Sequence, residues 1–392
     1  MTRAIAAVST RAELRRAIAE VLDPHGVAHD PPVLCLAYAG VAHDQAALLA
    51  ALGAALPGTV IAGASSQGAT LPGRALEADR FLAVLLLWSD RVTVRRAAVP
   101  AIGPDGFAAG QALAAGLGAP PAGPSTTLVF FDPLGGVDTA ALCAGLAAGG
   151  YRRVYGGGAG QPWGRMVRTY QYAGTEVYTA GAVALTLDGL EAVADLTHGA
   201  EAIGLELVAT RTEGNRVLEL DGRPALDVWT EQLGVHPDGH VEHTANWALG
   251  VHPPAGVAYE GLLTRPPFAF DAAARALVFQ AAIPTGARVQ VCVRTRRAIL
   301  DGAAAMGARL AGALVGRRPV AALAFEGGSR PAPFLSGEVA SAVRADVQRQ
   351  LPAGLPWLGR YAWGELAPLG DRTELHTYAF PVCILCEPGE PS

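Results

Sequence analysis

The residues best placed by type and spacing to do chemistry lie in glycine-rich loops. Ser65 and Ser66 belong to Gly63-Ala64-Ser65-Ser66-Gln67-Gly68, and Gly157 and Gly158 to the run Gly156–Gly160. Arg330 closes Glu326-Gly327-Gly328-Ser329-Arg330, and Glu365 follows Gly364. Glycine in such loops lets backbone N–H groups approach a ligand or adopt positive φ. An arginine grips a carboxylate through two parallel hydrogen bonds and a glutamate accepts an ammonium, so Arg330 and Glu365 together complement an amino acid or a similar polar metabolite. A structural ion pair between the two satisfies the same pattern. His198, in Thr197-His198-Gly199 after an apolar strand, is a further candidate ligand position. The densest group of metal-ligand types is His236, Asp238, His240, Glu242 and His243, with His252 nearby, but it matches no zinc spacing closely. Cys383-Ile-Leu-Cys386 lacks the second pair of a zinc site and the strand-to-helix setting of a redox dithiol, so it reads as two half-buried residues of a last strand. A Ser or Cys hydrolase would need a nucleophile, a base and an orienting acid. Ser65, Ser66 and Ser329 are available for it, but the chain has no G-x-S-x-G elbow.

These loops sit at corresponding points of a repeated unit. Residues 33–66 align without a gap with residues 127–160 at a spacing of 94. Each copy has an apolar strand, a Gly-containing loop, an Asp (Asp44, Asp138) suited to cap a helix, an amphipathic helix, and a strand ending in small residues. The alignment predicts that Gly63 and Gly157 superpose at a common cleft, and that Gly157→Val abolishes ligand binding at modest cost in stability. Residues 80–88 and 91–99 read as a hairpin about Ser89-Asp90, repeated near residue 188, so the duplication covers 33–99 and 127–198. In the second half, AALAFEGG, a helix and LGRYAWGE repeat the theme a third time. A first helix is predicted over about residues 10–22, and a last strand over 375–386. Strands outnumber helices and hairpins interrupt the alternation, which gives an α+β fold with mixed, largely antiparallel sheets. The organisation reads as a helix and linker over 1–29, a module over 30–200 and a second module over 201–392.

Composition excludes several classes. All thirty basic residues are arginine, so lysine Schiff-base chemistry and a Walker P-loop are ruled out. A net charge of -5 without a basic tract carries no footprint for nucleic acid, and Arg294–Arg297 is too short to supply one. No apolar stretch reaches the length of a spanning helix. The N-terminus reads as an amphipathic helix rather than a signal peptide, which points to the cytoplasm.

In order and spacing these segments resemble the FIST domains, paired N- and C-terminal modules of bacterial sensory proteins. The likeness rests on Gly63-Ala-Ser-Ser-x-Gly68, the Gly156–Gly160 run followed by Thr169-Tyr-Gln-Tyr172, Gly181-Ala-Val183 and His198-Gly199. It continues through Thr212-Glu-Gly-Asn215 to Asp227 and ends in Gly364-Glu-Leu-Ala-Pro368. The resemblance implies a signal-input module for a small ligand, amino acids being suggested. Output would pass to a partner supplied in trans, a histidine kinase or a cyclic-nucleotide signalling enzyme. It also raises haem, because some members resemble nitric-oxide sensors. His198 and then His376 would be the axial ligand, since both adjoin apolar strands. Two departures bear on that chemistry: Phe325-Glu-Gly-Gly-Ser-Arg330 stands where the family often has Cys before Gly-Arg, and Leu375-His-Thr377 only approximates its usual ending.

Overall fold

The structure, a computed structural model, describes residues 2–162, 167–234, 246–253, 257, 259, 261–328, 330 and 335–389. The recurring element order is strand, helix, strand, helix, strand, hairpin, strand, and it occurs three times. The first unit comprises Arg3–Ser9, helix Leu14–Leu22, Leu34–Ala39, helix Gln45–Ala55, Val60–Ser65, the hairpin Gly68–Leu71/Arg74–Glu77, and Leu82–Trp88. The second comprises Thr93–Val99, helix Gly106–Leu117, Ser125–Phe131, helix Thr139–Ala148, Val154–Gly158, the hairpin Gln171–Ala173/Glu176–Tyr178, and Ala182–Asp188. The third comprises Glu191–Asp195, helix Arg296–Ala313, Arg318–Gly327, helix Gly337–Gln350, Trp357–Ala362, the hairpin Glu365–Leu369/Arg372–His376, and Val382–Glu387. Local chemistry supports five of the six helix starts: Asp44, Asp105, Asp138, Thr295 and Ser336 each accept a first-turn N–H, and such a cap stabilises by about 1 kcal/mol.

Each unit donates its hairpin to a neighbour's sheet. The hairpin of the first unit pairs with Trp357–Ala362 of the third, that of the second with Val60–Ser65 of the first, and that of the third with Val154–Gly158 of the second. Three six-stranded sheets result, each with one parallel pair and otherwise antiparallel neighbours. Their inner faces meet in one core around Tyr38, Phe130 and Phe325. Their outer faces are covered by the helix pairs, through Val21 and Leu52, Leu113 and Leu142, and Met306 and Val343. The ring closes where the last strand meets the first: the Thr2 backbone N–H donates to Glu387 Oε1 at 3.0 Å. Into the third unit is inserted a nine-stranded sheet over 200–294 with helix Ala225–Leu233 and a core of its own around Trp229, Leu249 and Phe279.

The architecture is α+β with mixed, largely antiparallel sheets, as the sequence implies. Four local expectations are corrected. Residues 3–9 are a strand, because they pair along their whole length with Leu82–Trp88, and the helix starts only at Leu14. The strands either side of Ser89 do not form a hairpin: Leu82–Trp88 lies in the first sheet, whereas Thr93–Val99 pairs with Ala182–Asp188 in the second. The expected last strand is two, split between sheets at residues 377–381. Finally, Gly63 corresponds to Gly156, not Gly157. Gly63 lies opposite Ala37 and Tyr172, and Gly156 opposite Val129 and Leu366. Both have positive φ (150° and 130°), with the partner carbonyl where a Cβ would stand. The loop into the helix is longer in the second copy and the stretch from the helix cap to the equivalent glycine shorter, which a gapless alignment cannot represent.

Leu142 is fully buried between helix and sheet. Leu142→Ala is expected to lose roughly 2–5 kcal/mol of stability, read from urea unfolding midpoints at unchanged slope.

Candidate functional site

The hairpin exchange sets Glu365 of the third unit beside Gly157 of the second, with His376 directly across the hairpin. Around Glu365 lies the densest group of buried charge described in the chain. Glu365, Glu326, Arg330, Arg294, Arg265, Arg344, His198 and His376 are all buried. Arg330 sits past the end of Arg318–Gly327, its backbone N–H closing a turn onto Gly327 O at 2.9 Å. Its guanidinium lies over the Phe380 ring at 5.1 Å and donates from Nη1 to Tyr378 O at 3.5 Å. Its Nε and Nη2 have no partner among the described residues. Those two groups form one edge of the guanidinium. Arg288 gives the same edge to Glu206, and Arg95 gives it to Asp188. Arg330 therefore holds an open bidentate fork inside the protein, at 1% exposure.

Glu365 does not close that fork. Its Oε2 accepts the Ala379 N–H at 3.0 Å. Burial raises its carboxyl well above the usual range, although the Ala379 N–H and the guanidiniums of Arg330 and Arg294 act the other way. The alternative of a direct Arg330–Glu365 ion pair is thus not what the side chains form. Glu326 is held through Oε2 by Arg344 Nη1 at 3.1 Å, while its Oε1 has no partner. His376 Nε2 faces Ala367 O at 3.2 Å. A carbonyl only accepts, so Nε2 carries the proton and Nδ1 is a bare acceptor, also unpartnered. His198 Nδ1 meets Tyr259 Oη at 2.9 Å and leaves Nε2 unpartnered. Burial, then Arg265, holds His376 down at about 3. Burial, then His376 and the three arginines 265, 330 and 294, holds His198 well below its ordinary value. Both imidazoles are neutral at physiological pH, in surroundings dominated by guanidinium charge.

The FIST N domain matches residues 33–223, and the FIST C domain matches residues 225–368. The chain belongs to the FIST family. FIST domains are associated with sensory signalling. The chain is also 25% identical over 224 residues to the uncharacterized protein Mb0898c of Mycobacterium bovis, covering 54% of this chain and 55% of that one. It is 27% identical over 218 residues to the uncharacterized protein MT0656 of Mycobacterium tuberculosis, with the same coverage. The chain thus spans about half the length of the curated relatives it matches. Among the described residues, no helix is long and apolar enough to cross a membrane.

Within this FIST chain the sequence-derived candidates separate. Arg330 and Glu365 are brought together. Ser65 Oγ donates to Gly160 O at 2.8 Å and accepts from the Tyr170 N–H at 3.0 Å. Ser66 Oγ lies 2.7 Å from Gly68 O and accepts from the Tyr361 N–H at 3.2 Å. Both hydroxyls staple one unit to the next, and neither has an imidazole beside it. Ser329 lies outside the described residues. The carbonyls of Gly157 and Gly158 accept from Arg360. Gly157 has φ 145°, and a Cβ there would run into the Gly364 carbonyl. Gly157→Val therefore disrupts the seam between the second and third units within one sheet, correcting the expected modest cost.

The two histidines expected as haem ligands have ring centroids 5.5 Å apart; His198 keeps Nε2 and His376 keeps Nδ1 without a partner among the described residues, with Arg265, Arg330 and Arg294 acting on His198. Residues 236–243 lie outside the described residues, and His252 Nε2 faces Glu206 at 3.4 Å. Cys383 points into the central core and Cys386 against the helices, so the two thiols cannot meet across one face. Both are fully buried rather than half-buried. Glu326, Arg294 and Arg265 escaped sequence reading. A lone acid inside AALAFEGG was the available signal for Glu326, whereas Arg294 was masked by its basic neighbours.

The imidazoles set an acid limit. Below pH 6.5 an unfolded chain takes protons on His376 and His198 that the folded chain refuses, so stability falls as pH drops from about 6.5 toward about 3. His376→Gln is expected to shallow that fall by about one proton's worth, measured as urea midpoints across this range.

Proposed function

We propose that this FIST protein is a cytoplasmic sensory protein that binds a small carboxylate ligand, an amino acid or a similar polar metabolite. It then signals through a partner in trans, a histidine kinase or a cyclic-nucleotide signalling enzyme. The observation that carries the reading is the open Nε/Nη2 edge of Arg330 in a fully buried setting. A buried guanidinium cannot discharge by losing its proton, and leaving two of its donors unpaired is costly. A ligand carboxylate answers both needs at once. The unpartnered acceptors nearby, Glu326 Oε1 and His376 Nδ1, call for a donor on the same ligand, an ammonium or a hydroxyl. Ser65, Ser66, Gly157 and Gly158 then act at one remove, by fixing the seams between units, the one that seats Glu365 among them.

A thermal-shift screen of small carboxylates tests this. A binder present at a hundred times its Kd should stabilise the protein by about 2.7 kcal/mol. Arg330→Met should abolish that gain while retaining the fold, because among the described residues the guanidinium makes one long hydrogen bond, and methionine keeps an apolar contact with the Phe380 ring. Stabilisation that survives Arg330→Met, or none from any carboxylate, would contradict the assignment.

A further inference from the structure

A second buried guanidinium lies away from Arg330, at the centre of the ring. Register makes Ala64, Gly157 and Arg360 equivalent, each on a third strand opposite the first residues of an incoming hairpin (Gln171, Glu365 and Ala69). Two units place a small residue there and the third places an arginine, which enters the space the other two leave. Arg360 is 0% exposed, and its guanidinium lies 5.5 Å from the Tyr38 ring and 5.4 Å from the Phe130 ring. Nη2 donates to Gly157 O at 2.9 Å and to Gly158 O. Among the described residues Nε and Nη1 have no partner, and neither does the Tyr38 hydroxyl, itself on a residue with 0% exposure.

We propose that Arg360 and Tyr38 hold a small monovalent anion, of halide size, on the pseudo-threefold axis. The guanidinium keeps its charge, and an isolated buried charge is strongly unfavourable unless it is paired. Two carbonyls and two ring faces offset part of that cost. Glu365 acts on Arg360 electrostatically from a strand of the adjoining sheet, but among the described residues it forms no ion pair with it, and it has Oε2 committed to Ala379. Water could accept the free N–H groups but would bring no charge. A halide accepts from Nε, Nη1 and the phenol and also neutralises the cation. Tyr38 and Phe130 are fully buried in the shared core beside a glycine strand, surroundings that favour a small monovalent anion over a bulky oxyanion.

The site uses a different guanidinium from the ligand fork at Arg330, although Glu365 acts on both, and its test separates the two. Crystals grown with sodium bromide should show an anomalous peak against Arg360 Nε and Nη1. Melting temperature should rise saturably when gluconate is replaced by bromide, less steeply in Tyr38→Phe, and not at all in Arg360→Met. Should Arg360→Met fail to fold, Tyr38→Phe still decides, because it deletes one hydroxyl and keeps the ring. Absence of an axial anomalous peak, with water alone there, would overturn the proposal. So would a salt response identical in wild type and Tyr38→Phe.

Discussion

The far edge of each unit's third strand is the constraint on which the rest depends. Val60–Ser65, Val154–Gly158 and Trp357–Ala362 would each expose a row of unpaired N–H and C=O groups, and a strand edge left open invites association. A hairpin from the next unit covers every one of them. Because the donation runs in a circle, no unit can complete its sheet alone, and the three sheets fold around a shared core. Folding is correspondingly non-local: Thr70 must meet Gly359 before the third sheet is whole.

That geometry also makes the site. Glu365 stands beside Gly157 only because the third unit's hairpin is seated in the second unit's sheet, and the same hairpin presents His376. Arg330 approaches from the third unit's own sheet, and Arg294 and Arg265 arrive on the inserted nine-stranded sheet. A ligand held here would touch elements from both sheet systems. The small residues at the seams are structural necessities of close strand approach, and the serines satisfy backbone groups where units meet. Charge is concentrated where two sheet systems converge, and the surrounding core is apolar, which strengthens every interaction inside.

The local units were legible in the sequence for a plain physical reason. Asp44 and Asp138 cap helices whose Ala-rich faces pack on apolar strands, so strand, cap and helix recur as a readable string. The threefold ring was not legible. Pairing of Thr70 with Gly359, or of Leu82–Trp88 with Arg3–Ser9, depends on partners far away in sequence, and the local alternation about Ser89 suits a hairpin equally well. Arg330 and Glu365 stood out as charges in glycine loops, a pattern that packing alone does not favour. Ser65 and Ser66 stood out for the same reason but serve the seams. Glu326 is the instructive miss, since a charge inside an apolar strand costs too much to be idle.

The central claim is that Arg330 receives a ligand carboxylate through its Nε/Nη2 edge. A crystal structure of the complex with a stabilising carboxylate measures this directly. The account predicts both carboxylate oxygens about 2.7–2.9 Å from Nε and Nη2, the spacing of charge-assisted pairs, with a donor of the ligand turned toward His376 Nδ1 or Glu326 Oε1. A ligand bound elsewhere, with the Arg330 edge closed by a side chain of the protein itself, would contradict it.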